Sequence, residues 1–213
     1  MSDLLVLTPM RLEASAARRG AEFATILRTG IGPKRSRRSG ATLAAKKPTG
    51  AVIVLGLCGG LHSDLSPGDV IVATDVRSAD GTVNTNIPGS EILATEVAHA
   101  GFPVKTGPII TNDRIANGRT RSELARNESV AVDMESAWLV NELQENIPGP
   151  ICVVRVVSDA PGSEIWSLRT PQNLKHARHL LTQLMPSLER WASITGSCKQ
   201  RVHQPQNLKF DKS

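Results

Sequence analysis

Three acids stand where a carboxylate can do chemistry, each in the segment that follows a short apolar run. Asp159 ends the stretch Val156-Val157-Ser158-Asp159. A carboxyl in a partly apolar mouth resists ionisation because desolvation disfavours the charge, and it can then serve as a general acid near neutral pH. Taken alone, an Asp there also reads as a turn or N-cap residue. Val132-Asp133-Met134-Glu135-Ser136-Ala137 joins a predicted strand to a predicted helix. Asp133 and Glu135 are two apart and share no helical face, so one is expected to cap the helix while the other faces the mouth. A single carboxylate accepts two hydrogen bonds from vicinal hydroxyls, which makes a natural ribose clamp. The competing reading is a helix start favoured by negative charge. Glu13 follows the first apolar run; beside such a sugar it could orient or deprotonate a water, and its plain alternative is a surface helix acid.

Two glycine clusters, Gly30-Ile31-Gly32 and Gly56-Leu57-Cys58-Gly59-Gly60, would let backbone approach a ligand closely. Gly32 and Gly59 are binding candidates on that ground, though as local signals both clusters are simply turns. Neither is GxGxxG or GxxxxGK[ST], which argues against a dinucleotide or P-loop site and against a nicotinamide redox enzyme. HExxH and GxSxG are absent from the sequence. His176 and His179, at i,i+3 in the last helix, read as a surface pair rather than a metal site. Cys58, Cys152 and Cys198 are scattered, with no CxxC pair. No metal and no cofactor is expected, and a sparse, odd set of cysteines fits a reducing, cytoplasmic setting.

The elements that must position these residues alternate in type. Strands are predicted at Leu4–Leu7, Ala24–Arg28, Ala51–Leu55, Asp69–Val76, Val104–Ile110, Ser129–Val132 and Ile151–Val157. Helices are predicted at Met10–Arg19, Pro33–Lys47, Ser90–Ala100, Met134–Glu145 and Pro171–Ile194, with Pro186 a candidate kink. Such alternation gives a single α/β domain with a central twisted, mostly parallel sheet flanked by helices. Ligands in such folds sit beyond the carboxyl ends of the strands. That places Glu13, Gly32, Gly59, Arg114, Glu135 and Asp159 at one rim. The domain is expected over residues 1–194, with a polar, basic, disordered tail over 195–213.

With 213 residues, 40% hydrophobic and 21% charged, the chain has room for one soluble domain of ordinary size. No apolar run approaches the ~20 residues that span a bilayer, and the first apolar run is too short for a signal peptide. The net charge of +5 is concentrated in Lys34-Arg35-Ser36-Arg37-Arg38 and in the tail from Lys199 to Lys212. A nucleic-acid reader would interleave that charge with aromatics; here there is no Tyr, with three Phe and three Trp. No nucleic acid is expected. A solvated helix face and a loose tail explain the charge, and a phosphate or an anionic membrane surface is the alternative.

The order of the pieces carries a resemblance. A Glu in the first loop, then TGIG, GLCGGL, PGDVIVA, VDMESA and VVRVVSD, resembles the purine nucleoside phosphorylase and nucleosidase superfamily, which includes the 5′-methylthioadenosine/S-adenosylhomocysteine nucleosidases. The resemblance covers about residues 3 to 190. It implies one α/β domain around a central mixed sheet, assembled as a homo-oligomer of two or more copies. It further implies that Glu135 holds the ribose 2′ and 3′ hydroxyls, that Met134 packs on the sugar, and that Asp159, with Ser158 alongside, protonates purine N7. Glu13 is similar to the Glu that activates water in the nucleosidases.

In the phosphorylase branch an Arg stands at the position of Glu13, another Arg at Val54 and a Ser at Leu57. This chain therefore favours water over phosphate, although Arg11, Arg28 or Arg114 could supply a different phosphate site. The aromatic residue that packs on the base in the methylthioadenosine branch is Ile115 here. NDRIA, GIGPKRSRR and AVDMES are similar to the hopanoid-associated phosphorylases, which implies adenosylhopane and release of adenine. The expected partner is thus a small nucleoside, with adenine as its base and a substituted 5′ position. A phosphate-dependent phosphorylase and a nucleoside-binding protein without turnover are the two alternatives.

Overall fold

Valine, isoleucine and leucine dominate two long strands that lie side by side at the centre of the molecule, and everything else is arranged around them. The structure, a computed structural model, describes residues 4–161 and 170–202. In chain order the elements are β1 (Leu4–Thr8), α1 (Arg11–Gly20), β2 (Thr25–Arg28), α2 (Pro33–Lys46), β3 (Ala51–Gly60), β4 (Val70–Ser78) and β5 (Asn84–Asn86). They continue with α3 (Ser90–His99), β6 (Val104–Thr111), α4 (Gly118–Ala125), β7 (Ala131–Asp133), α5 (Ser136–Leu143), β8 (Ile151–Asp159) and α6 (Thr170–Val202).

β3 and β8 run parallel from Val52↔Ile151 to Cys58↔Val157, and Val52 to Leu55 and Cys152 to Val157 are buried. Strands covered on both faces lose the alternation of polar and apolar residues, so they read as unbroken apolar runs. β1 and β2 extend the sheet in parallel from β3. Beyond β8 the sheet curls: β8 pairs antiparallel with β4, β4 and β6 pair in parallel, β6 and β7 pair in parallel, and β7 returns antiparallel to Gly59 and Gly60 of β3. Five strands therefore close on themselves, and the sheet is mixed, as the resemblance implied.

Helices cover both faces. α1 packs on α6 and α2 on α5, where a Cβ on Gly40 would meet Glu142 Cβ at 2.7 Å. The Arg37 guanidinium lies 4.2 Å from the Trp138 ring centroid, so part of the basic α2 face is spent on packing.

Several boundaries differ from expectation. β3 continues through the glycine cluster instead of stopping at Leu55, because β8 and β7 supply its backbone partners. β8 reaches Asp159 rather than ending at Val157. β5 and α4 were not anticipated: each is short, and α4 offers only Leu124 as a buried apolar anchor. α6 runs eight residues beyond Ile194 into the expected tail, and Thr195 Oγ1 bonds back to Trp191 O at 2.9 Å. The rest of that tail, residues 203–213, lies outside the described residues. Pro186 sits inside α6. It cannot donate to Thr182 O, and Gly20 packs so closely on that carbonyl that a Cβ would collide with its oxygen. No described helix is long and apolar enough to cross a membrane.

Candidate active site

The six strand-end segments meet at one cavity of about 340 Å³. Glu13, Gly59, Ile115, Met134, Glu135, Ser158 and Asp159 all line it. Gly32 does not; its N–H donates to Glu135 Oε1 at 3.2 Å from just behind. Gly32 precedes α2 with φ 83° and ψ 171°, a conformation open to glycine, so this N–H can be aimed at the acid. Ile115 forms part of the apolar rim and remains 57% exposed.

A register shift sets the position of Asp159. Cys58 faces Val157, but Gly59 faces Asp159, leaving Ser158 as an extra residue in β8. Such bulges re-aim side chains beside sites. Ser158 Oγ donates to Cys58 O at 3.1 Å and to Asp159 Oδ1 at 2.9 Å. The other oxygen, Oδ2, is held by Arg121 Nη2 of α4 in a buried ion pair.

Glu13 is buried, not a surface acid. Its Oε2 accepts the Met10 N–H at 2.7 Å, closing the first turn of α1, and its Oε1 accepts the Leu57 N–H at 2.9 Å. Burial pushes its pKa up, against the opposing pull of Arg155 and the two backbone donors. A base held in this way is more basic than one in water.

Asp133 and Glu135 divide their work as expected. Asp133 Oδ1 accepts Thr111 Oγ1 at 2.6 Å and the N–H groups of Glu135 and Ser136 at 3.2 Å, which fixes the start of α5. Glu135 faces the cavity. Burial raises its pKa to about 7, with Arg155 opposing and Asp133 assisting.

Arg155 was visible in the sequence only as the one charge in an apolar strand. It is fully buried, with Nη2 2.6 Å from Asp133 Oδ2 and 3.6 Å from Glu135 Oε2, while Nε and Nη2 bond Ser136 Oγ at 3.2 and 2.9 Å. Its Nη1 occupies the space that a Cβ on Gly56 would need, and that same Cβ would stand 2.8 Å from Glu13 Oε1. Glycine at 56 thus lets the guanidinium and Glu13 share one corner. Three acids thus surround one fixed cation. Arg121 gave no sequence signal at all, since α4 lacks apolar periodicity. Cys58 lies in the wall, but burial pushes its thiol far up, so it is not a nucleophile.

Chemically, the cavity wall offers a basic carboxylate, Glu13, a carboxylate with free acceptor capacity, Glu135, and an acid paired to a guanidinium, Asp159. A model of the phosphorylase superfamily matches residues 14–185. The 5′-methylthioadenosine/S-adenosylhomocysteine nucleosidase of Bacillus subtilis (strain 168) is 32% identical over an alignment 160 residues long that covers 65% of this chain and 69% of that protein. The nucleosidase of the same name from Geobacillus sp. (strain WCH70) is 27% identical over an alignment 203 residues long that covers 84% of this chain and 87% of that one. Among solved structures, the Helicobacter pylori 5′-methylthioadenosine/S-adenosylhomocysteine nucleosidase with butyl-thio-DADMe-Immucillin-A superposes with a TM-score of 0.77 at 22% identity, over 89% of this chain and 98% of that one. Fold, motif order and sequence similarity agree, and the chain belongs to the phosphorylase superfamily.

Proposed function

We propose that this chain hydrolyses the N-glycosidic bond of a purine nucleoside. The observation that carries the reading is the convergence of Glu13, Glu135 and Asp159 on a single cavity. Glu135 takes the ribose hydroxyls, and Met134 beside it packs on the sugar. Glu13 accepts a proton from the attacking water, and Asp159 faces N7 of the leaving base. C1′–N9 breaks with its electron pair leaving on the purine; the water oxygen bonds C1′ and its proton passes to Glu13. Once ionised, Glu135 favours the developing oxocarbenium ion.

Water is favoured over phosphate because none of the three positions that carry Arg, Arg and Ser in the phosphorylase branch holds a phosphate-binding side chain here. Val54 is buried and apolar, Leu57 contributes its backbone N–H to Glu13, and Arg155 is balanced by acids. A 5′-substituted adenosine fits best: the relatives are named for such substrates, and exposed Ile31 at the rim suits an apolar 5′ group, with Ile115 left to pack on the base. Methylthioadenosine and a lipid-linked nucleoside such as adenosylhopane both meet that description.

The test is base release from a nucleoside panel, with and without phosphate. Free adenine at a rate independent of phosphate is the expected result. A strict phosphate requirement would point instead to Arg114, which also lines the cavity. Tight nucleoside binding with no base released over hours would leave a binding protein.

A further inference from the structure

Arg121 is a second group at the leaving-base end of the cavity, and nothing in the reading above uses it. Its side chain is 8% exposed and lines the cavity from α4. One nitrogen, Nη2, binds Asp159 Oδ2. The other two, Nε and Nη1, are buried and have no partner among the described residues. The guanidinium lies over Gly59, where a Cβ would come within 2.7 Å of Nη2 and 3.5 Å of Asp159 Oδ2. Any other residue at 59 would displace it.

Buried N–H groups without an acceptor cost free energy, so an arginine in this state marks a place where a ligand supplies acceptors. Resting on the proposed function, we infer that Arg121 is a further catalytic residue, whose unpartnered N–H groups bind the N7 edge of the purine and stabilise the charge that it acquires on leaving. The edge of the base that meets Asp159 also meets the guanidinium, because the two side chains are bonded to each other. In Asp159, one oxygen is committed to Arg121 and the other to Ser158 Oγ. The electron pair of the broken C1′–N9 bond spreads over the purine ring, with N7 among the atoms that carry it. Donors fixed in place before the reaction are worth most at such a point. Arginine stays charged and gives up no proton; the proton that the free base finally carries is the one that water gave to Glu13, passed on through solvent after release.

The experiment compares 5′-methylthioadenosine with its N7-methylated form, whose base already carries positive charge and leaves neutral. Arg121→Ala and Arg121→Gln are expected to lower kcat on the unmethylated substrate by about 100-fold, the scale of removing one preorganised donor. Arg121→Lys should recover part of that loss. On the N7-methylated substrate the same variants should hold their rate or gain, since the guanidinium repels a cationic base. Wild-type kcat in the Ala and Gln variants would overturn the inference. So would an equal loss on both substrates, or a loss confined to KM, since either means that Arg121 serves only folding or binding. Wild-type protein that frees no base from either substrate would instead overturn the underlying reading, and the inference with it.

Discussion

Arg155 Nη2 lies 2.6 Å from Asp133 Oδ2, with both side chains sealed from solvent. This pair ties the middle of β8, whose last residue is Asp159, to the end of β7, two residues before Glu135. A buried ion pair is weak evidence for stability as such, but breaking one by removing a single partner strands a charge in the interior. Arg155→Met is therefore expected to destabilise the fold by about 3–5 kcal/mol, because Glu13, Asp133 and Glu135 lose their common cation. Denaturant unfolding checks this, and a change below about 1 kcal/mol would contradict the electrostatic account of the site.

The raised pKa of Glu135 has a defined sign in stability. Between its ordinary value of 4.5 and about 7, the folded protein binds a proton there that the unfolded chain does not. The stabilisation is complete below pH 4.5 and is lost as pH climbs through 7. Glu135→Gln removes this dependence. The variant should gain in Tm relative to wild type from pH 5 to pH 8, by up to about 3 kcal/mol in free energy. Parallel Tm curves for the two proteins would show that Glu135 ionises as freely as an exposed acid.

Glu13→Gln tests the base. The amide keeps one acceptor oxygen, so one of the two bonds from Met10 and Leu57 is lost, a cost of about 1 kcal/mol. It cannot accept the proton from water, and kcat for base release should fall by about 100-fold or more. Near-normal turnover by a folded Gln variant would remove Glu13 from the mechanism.

The order of elements and the three acids were legible because burial on both faces and strand-end position leave marks in sequence: Ala51–Leu55 and Ile151–Val157 are apolar runs, and Glu13, Glu135 and Asp159 each follow one. The support around the acids was not legible. Arg155 appeared only as an exception inside a strand, and its partners lie 19 or more residues away in the chain. Arg121 sits on a helix with a single buried apolar residue, so no periodicity announced it. The bulge that turns Asp159 inward depends on pairing between β3 and β8, which neither strand encodes alone.

Glu189 carries the last prediction, and it concerns the scaffold. It is buried on α6, and its Oε1 accepts three successive N–H groups, from Glu22 and Phe23 at 2.9 Å and from Ala24 at 2.8 Å. These residues link α1, which carries Glu13, to β2. A segment leaving a helix has N–H groups that need acceptors, and a carboxylate is the strongest available. Glu189→Gln keeps an acceptor of similar shape but loses the charge. Glu189→Ala leaves three donors without a partner. The Ala variant should lose about 2–4 kcal/mol and the Gln variant about half of that, while kcat per folded molecule stays within twofold, since the cavity lies at the other end of α1. Equal stability of the two variants would mean that water replaces the carboxylate at no cost, and that α6 holds this turn by apolar packing alone.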